Sequence, residues 1–253
     1  MQIRQIRNAT IVLEYGGLTF LIDPYLGEKG AYPPVRNTAN PVNNPTVGLP
    51  VAVEDLVATK FDAVIITHLH PDHFDAAAIK ALPKDANVIA QSDEDAETIR
   101  KEGFVSVQAI DRVSRIGDVR LARTRGQHGT GEIGRLMGKV SGVVFEHPDE
   151  KTLYVAGDTI WCGDVEEAIL AHRPEVIVVN GGSAQFLQGD PITMGKEDIR
   201  RTHSAAPQAT IIVSHMEAVN HCFLSRRELT GFIEEMGLAA HILVPADGET
   251  IIR

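Results

Sequence analysis

A chain of 253 residues, 43% of them apolar, is long enough to bury a full core as one large domain or as two intimately packed halves. Its net charge of −10 argues against a partner held through neutralised phosphates, so no nucleic acid is expected. No apolar run approaches the ~20 residues of a membrane-spanning helix, so no membrane is expected either. The opening Met1-Gln2-Ile3-Arg4 has no export-signal character, and Cys162 and Cys222 match no zinc or redox spacing. The expectation is a cytoplasmic setting and a small-molecule partner, with self-association into a homo-oligomer left open.

In chain order, Ala9–Tyr15, Gly16-Gly17 and Leu18–Ile22 read as a hairpin. The stretch 27–50 is rich in Pro, Asn and Gly, and a loop of that length belongs to a lid or to disorder. An apolar strand at 62–66 precedes a helix capped by Asp75, and Ser92 opens another that stops at Gly103. Strands flank Gly117-Asp118, and Val140–Phe145 pairs with Thr152–Ala156. Strands and helices then alternate: an Asp164-x-x-Glu167 capping box with its helix, strand Val176–Val179, and a helix over 196–204. Strand Thr210–Val213, a Ser225-x-x-Glu228 box with a helix ending at Gly237, and strand Ile242–Val244 follow. The same plan appears twice, a meander and then strand–helix units. It suits two face-to-face sheets with helices outside, in a single α/β (α+β) domain over 1–253 with halves of about 1–125 and 126–253.

Within 61-FDAVIITHLHPDHFDAAAIKALP-83 the buried strand gives way to His68-x-His70-x-Asp72-His73. Alternate residues of an extended segment point the same way, so His68 and His70 can converge on one ion, and the turn at Pro71 can aim Asp72 and His73 at a second point. Neutral imidazole and carboxylate are the usual zinc ligands of hydrolytic sites. His73 also precedes a helix N-terminus, whose dipole disfavours imidazolium. Further candidates stand where other strands end: His128, Asp158 in 154-YVAGDT-159, and His215 in 210-TIIVSH-215.

This order of motifs resembles the metallo-β-lactamase superfamily, which implies a four-layer αββα sandwich and a metal-dependent hydrolase. By that resemblance His68, His70 and His128 hold a first ion, Asp72, His73 and His215 a second, and Asp158 bridges the two. Asp23, in Leu21-Ile22-Asp23-Pro24, would brace the ligand loop or simply cap a turn. His215 is favoured over His221 as the last ligand because it directly follows a strand; His221 is left to substrate or ligand-supporting contact. Within the superfamily the chain is similar to the compact group of ascorbate-6-phosphate lactonases, through Ala156–Thr159 and 193-TMGKED-198.

The reaction expected from the resemblance is attack of a dinuclear, metal-activated hydroxide on an ester or lactone of a small substrate, with Asp72 as ligand and proton carrier. Zinc is the default from the ligand set, and manganese or iron tolerate it. Phosphodiester hydrolysis at the same site is the alternative enzyme, and an iron-holding redox or sensor module the alternative class. Arg36 in the 27–50 loop stands as an anchor for an anionic substrate or as part of a plain surface loop. Ser183, Gln185 and Trp161 are further candidates to line the pocket.

Overall fold

β1 (Gln2–Arg7), β2 (Thr10–Tyr15) and β3 (Leu18–Ile22) make the antiparallel meander expected at the N-terminus. α1 (Val53–Val57) leads into β4 (Ala63–Ile66), which runs parallel to β3. α2 (Ala76–Ala81), β5 (Asn87–Ala90), α3 (Asp93–Lys101) and β6 (Ser106–Ala109) continue the strand–helix rhythm. The structure is a computed structural model and describes residues 1–111 and 113–253.

The second series begins with β7 (Val113–Ile116), β8 (Val119–Arg125), α4 (Gly131–Met137), β9 (Ser141–Glu146) and β10 (Leu153–Val155). α5 (Gly163–His172), β11 (Val176–Asn180), α6 (Lys196–Ala205), β12 (Thr210–Ser214), α7 (Arg226–Glu235) and β13 (Ile242–Leu243) follow, and β14 (Thr250–Ile252) ends the chain. Among the described residues the strands form two sheets, ordered β14-β1-β2-β3-β4-β5-β6 and β13-β12-β11-β10-β9-β8-β7. The chain changes sheet between Ala109 and Val113, ahead of the division read near 125, and β14 returns to pair with β1.

β4 explains the layering. All four of its residues are buried, because alternate side chains serve different layers. Ala63 and Ile65 join Leu13, Phe20, Leu121, Phe145 and Val178 in the cluster between the sheets. Val64 and Ile66 face the other way, packing with Ala78 of α2 and Ile99 of α3. On the far side Val165, Ile199 and Leu229, from α5, α6 and α7, cover Val144, Ile177 and Val213. The result is the four-layer αββα sandwich.

Three helix starts follow the sequence: Asp75, Ser92 and Ser225 each accept a backbone N–H at their helix N-terminus. Asp164 does not. Cys162 takes the N-cap position of α5, and Asp164 and Glu167 both pair with Arg125 on β8. A cation across the groove offers those carboxylates a stronger partner than a backbone N–H.

Candidate metal centre

The side chains picked out in the sequence are delivered by strand ends. Asp23 follows β3, His68 follows β4, His128 follows β8, Asp158 follows β10 and His215 follows β12. Because parallel neighbours share a direction, β3 and β4 end together, as do β10, β11 and β12. The turn that presents Asp158 requires a glycine. Gly157 has φ +68°, and a Cβ there would lie 2.5 Å from the Ser141 carbonyl oxygen.

Four of these, with His70, Asp72 and His73 from the turn after β4, make seven side chains that converge. Three groups have ligand-capable atoms lying within 4.8 Å of one another: His68, His70 and His128; His68, His73 and Asp158; and Asp72, His73 and His215. Asp158 faces four imidazoles. Its Oδ2 is 3.2 Å from His73 Nε2, 3.5 Å from His128 Nε2 and 3.9 Å from His68 Nε2, and its Oδ1 is 3.6 Å from His215 Nε2. His68 Nε2 and His73 Nε2 are buried and have no hydrogen-bond partner. Buried ring nitrogens without partners are costly, so this donor set fits divalent cations.

For four of the five histidines a contact at Nδ1 sets the ring. His73 Nδ1 donates to Asp23 Oδ2 at 2.9 Å, and His128 Nδ1 donates to the Ile192 carbonyl at 2.8 Å. Thr67 Oγ1 donates to Asp23 Oδ2 at 2.7 Å and lies 3.2 Å from His68 Nδ1. Cys222 Sγ lies 3.6 Å from His215 Nδ1. Asp23 has left-handed backbone (φ +46°) and also takes the Thr67 N–H at 2.7 Å, so it does more than cap a turn. Thr67 and Asn180 are not singled out in the sequence, and Cys222 is there set aside as matching no zinc or redox spacing. Asn180, whose Nδ2 donates to Asp158 Oδ1 at 2.7 Å, was the most legible of them, since it too closes a strand.

The electrostatics follow from five histidines and two carboxylates sharing a largely desolvated space. Burial opposes charge on Asp72 and Asp158, yet the adjoining imidazoles hold both well below the usual carboxylate range. Burial, reinforced by His73, pushes His68 well down. His73 goes the other way: against its desolvation, Asp158 and Asp23 raise it to about 10. The helix-dipole expectation for His73 therefore fails in the protein alone, because two carboxylates in contact outweigh the roughly half elementary charge of a helix N-terminus.

His221 is outside all three groups. It is buried against Phe186, with ring centroids 6.0 Å apart, and burial lowers it to about 4. Arg36 is exposed and makes no ion pair among the described residues. The 27–50 loop is held fast. Asn220 Oδ1 accepts Val35 N and Asn44 Nδ2, while Asn220 Nδ2 donates to Thr38 Oγ1 and the Asn40 carbonyl. Arg7 ties both ends of the loop through the Tyr25, Gly27 and Val47 carbonyls. Ser183 lines a cleft of about 550 Å³ with Ile160, Phe223 and Leu224, a lining that includes none of the seven, and Trp161 packs into the outer core. Gln185 turns back to the Gly189 carbonyl.

Comparison with known proteins gives the family. The family profile described as beta-lactamase superfamily domain matches residues 19–216. A Bacillus subtilis relative, UPF0173 protein YddR, is 49% identical over 99% of both chains. The crystal structure of isothiocyanate hydrolase from Delia radicum gut bacteria superposes with a TM-score of 0.95 at 46% identity, covering 100% of this chain and 99% of that one. That of a possible metal-dependent hydrolase from Veillonella parvula DSM 2008 gives 0.96 at 41% identity, over 99% and 98%. The chain thus belongs to the beta-lactamase superfamily and is a metal-dependent hydrolase with the metallo-β-lactamase fold.

Proposed function

We propose that the protein hydrolyses a small substrate at an electrophilic carbon, using two divalent ions: one held by His68, His70 and His128, the other by Asp72, His73 and His215, with Asp158 between them. The observation that carries this reading is the overlap of the three ligand groups, in which His68 and His73 are each shared with the group that contains Asp158. Bound there, a pair of divalent ions would lower the pKa of water and polarise the bond under attack.

The chain's own residues set the rest. His70 and Asp72 are the members that reach solvent, whereas His68, His73, His128, Asp158 and His215 are buried, so the approach suits a slender substrate. Asp72 receives His215 and Asn8 on Oδ2 and has no hydrogen-bond partner on Oδ1 among the described residues. That free oxygen on a partly exposed side chain is placed to carry a proton from water to the leaving group.

Similarity to an isothiocyanate hydrolase along the whole chain makes the isothiocyanate carbon the first candidate electrophile. Water adds across the N=C=S group, which then breaks its C–N bond to give an amine and carbonyl sulfide. An ester or lactone carbonyl is the second reading, since it asks the same of the site. Arg36, without a contact that aims it at the cluster, lends no support to an anionic substrate.

The test is to load the protein with zinc, manganese or iron(II) and assay an isothiocyanate, a lactone panel and bis-p-nitrophenyl phosphate. Release of amine from the isothiocyanate is expected. Turnover confined to the phosphodiester would overturn the carbon-centred reading, and oxygen consumption by the iron form would point to the redox alternative.

A further inference from the structure

The tight turn between β1 and β2 contains Asn8, a residue that neither the sequence motifs nor the ligand set singles out. It is fully buried, its backbone is left-handed (φ +53°), and it touches two members of the centre that come from opposite halves of the chain. Its carbonyl oxygen accepts the His215 N–H at 2.9 Å, Ser214 Oγ at 2.8 Å and Gln5 Nε2 at 2.8 Å. Its Nδ2 donates to the Asp72 carbonyl at 3.0 Å and to Asp72 Oδ2 at 3.2 Å. The amide orientation follows from chemistry: both neighbours on that side are acceptors, so the NH₂ must face them. Oδ1 is buried without a partner.

We infer that Asn8 is a positioning residue for one ion of the pair, fixing the Asp72 carboxylate against His215 so that the Asp72–His73–His215 group is assembled before an ion arrives. This rests on the reading that these three residues hold an ion. The Asp72 carboxylate follows a proline turn and is one of the two members of the centre that reach solvent, so it has rotational freedom to lose. A donated N–H to Oδ2, together with the same amide's bond to the Asp72 backbone, removes that freedom in the folded protein. Nothing described ties Asn8 to His68, His70 or His128, so its influence falls on one ion only.

Asn8→Gly tests this, because glycine accepts the left-handed backbone and keeps all three bonds to the carbonyl while deleting the amide. Metal content and stepwise zinc affinity are measured by elemental analysis and competition with a chromophoric chelator. The wild type is expected to bind two ions. Asn8→Gly should weaken one by about 10–100-fold, the range for residues that orient ligands, and leave the other unchanged. The unchanged ion also reports that the variant is folded. If the cavity left by Asn8→Gly prevents folding, Asn8→Asp fills the same space, tolerates the same backbone and lacks the donor; its affinity change should fall on the same ion. A wild type that binds fewer than two ions overturns the two-ion reading itself. A wild type with two ions, and variants with both affinities unchanged or both equally weakened, overturns the role of Asn8 alone.

Discussion

Asp23 Oδ2 and His73 Nδ1 meet at 2.9 Å, joining the end of β3 to the turn that follows β4. The bond keeps a proton on Nδ1, so Nε2, which faces Asp158, is the nitrogen that gives up its proton when an ion binds. Asp23→Asn keeps size and tolerates the left-handed backbone, but it can turn an NH₂ towards His73 Nδ1. The imidazole then has to carry its proton on Nε2, where a ligand must have none. Metal affinity is expected to fall by about 10–100-fold, read by chelator competition. Unaltered affinity would show that the His73 tautomer is not set from Asp23.

The same carboxylates predict how ion binding depends on pH. In the protein alone His73 is raised to about 10 and His215 well above its ordinary value, in both cases against desolvation and mainly by Asp158. Their protons are therefore present at neutral pH and have to leave when an ion binds. Since the raised groups lose protons only as pH climbs, affinity should increase from pH 6 towards 9, about tenfold per unit for each proton displaced. Calorimetry in buffers of different ionisation enthalpy should register proton release at pH 7. Binding heats independent of buffer would contradict the protonation of both rings.

Much of this site could be read from the chain because its ligands sit where apolar strands stop. Val64-Ile65-Ile66 before His68, and Ile211-Ile212-Val213 before His215, announce buried strands whose ends are rigid. Some of the elements that escaped notice have weak cues. β6 alternates Ser106, Val107, Gln108 and Ala109 at an edge, and α4 buries none of its residues. Contacts such as Asn180 to Asp158, or Asn220 to the 27–50 loop, depend on which strands and loops lie side by side. That information appears only once the sheets are assembled. The loop illustrates the point: its composition reads as a lid or disorder, and bonds from the buried side chains of Asn220 and Arg7 tie it down.

Asn220→Ala tests the fixed loop. The substitution leaves Val35 N and Asn44 Nδ2 without their acceptor and Thr38 Oγ1 and the Asn40 carbonyl without their donor. Buried groups left unpaired each cost about 1–3 kcal/mol, so a loss of at least about 2 kcal/mol and a lower Tm are expected. Because the loop bonds to the 217–220 segment beside His221, KM should rise more than kcat falls. A Tm within experimental error of the wild type would mean that the loop is held by Arg7 and its own contacts.

His70→Ala separates the site from the fold. His70 is partly exposed and outside the hydrophobic clusters, so its removal should change stability by no more than about 1 kcal/mol. Its loss from the His68–His70–His128 group should lower hydrolysis by more than about 100-fold, since groups standing behind ligands are already worth 10–100-fold. Urea unfolding and turnover on one preparation decide it. Full activity at normal metal content would remove His70 from the ligand set.

Asp158→Asn is the most informative substitution, because this carboxylate faces His68, His73, His128 and His215 together. Replacing it with a neutral amide keeps the volume and removes the charge that lies between both proposed ion positions. Two cations a few ångströms apart repel each other, and a shared anion between them is the main offset available in a desolvated space. Ion content should therefore drop from two to one, with the His68–His70–His128 position retained because it has three imidazoles of its own. The proton release of the wild type should shrink as well, since His73 and His215 lose the charge that most raises them. Two ions bound with unchanged affinity would show that the carboxylate orients histidines without bridging the pair.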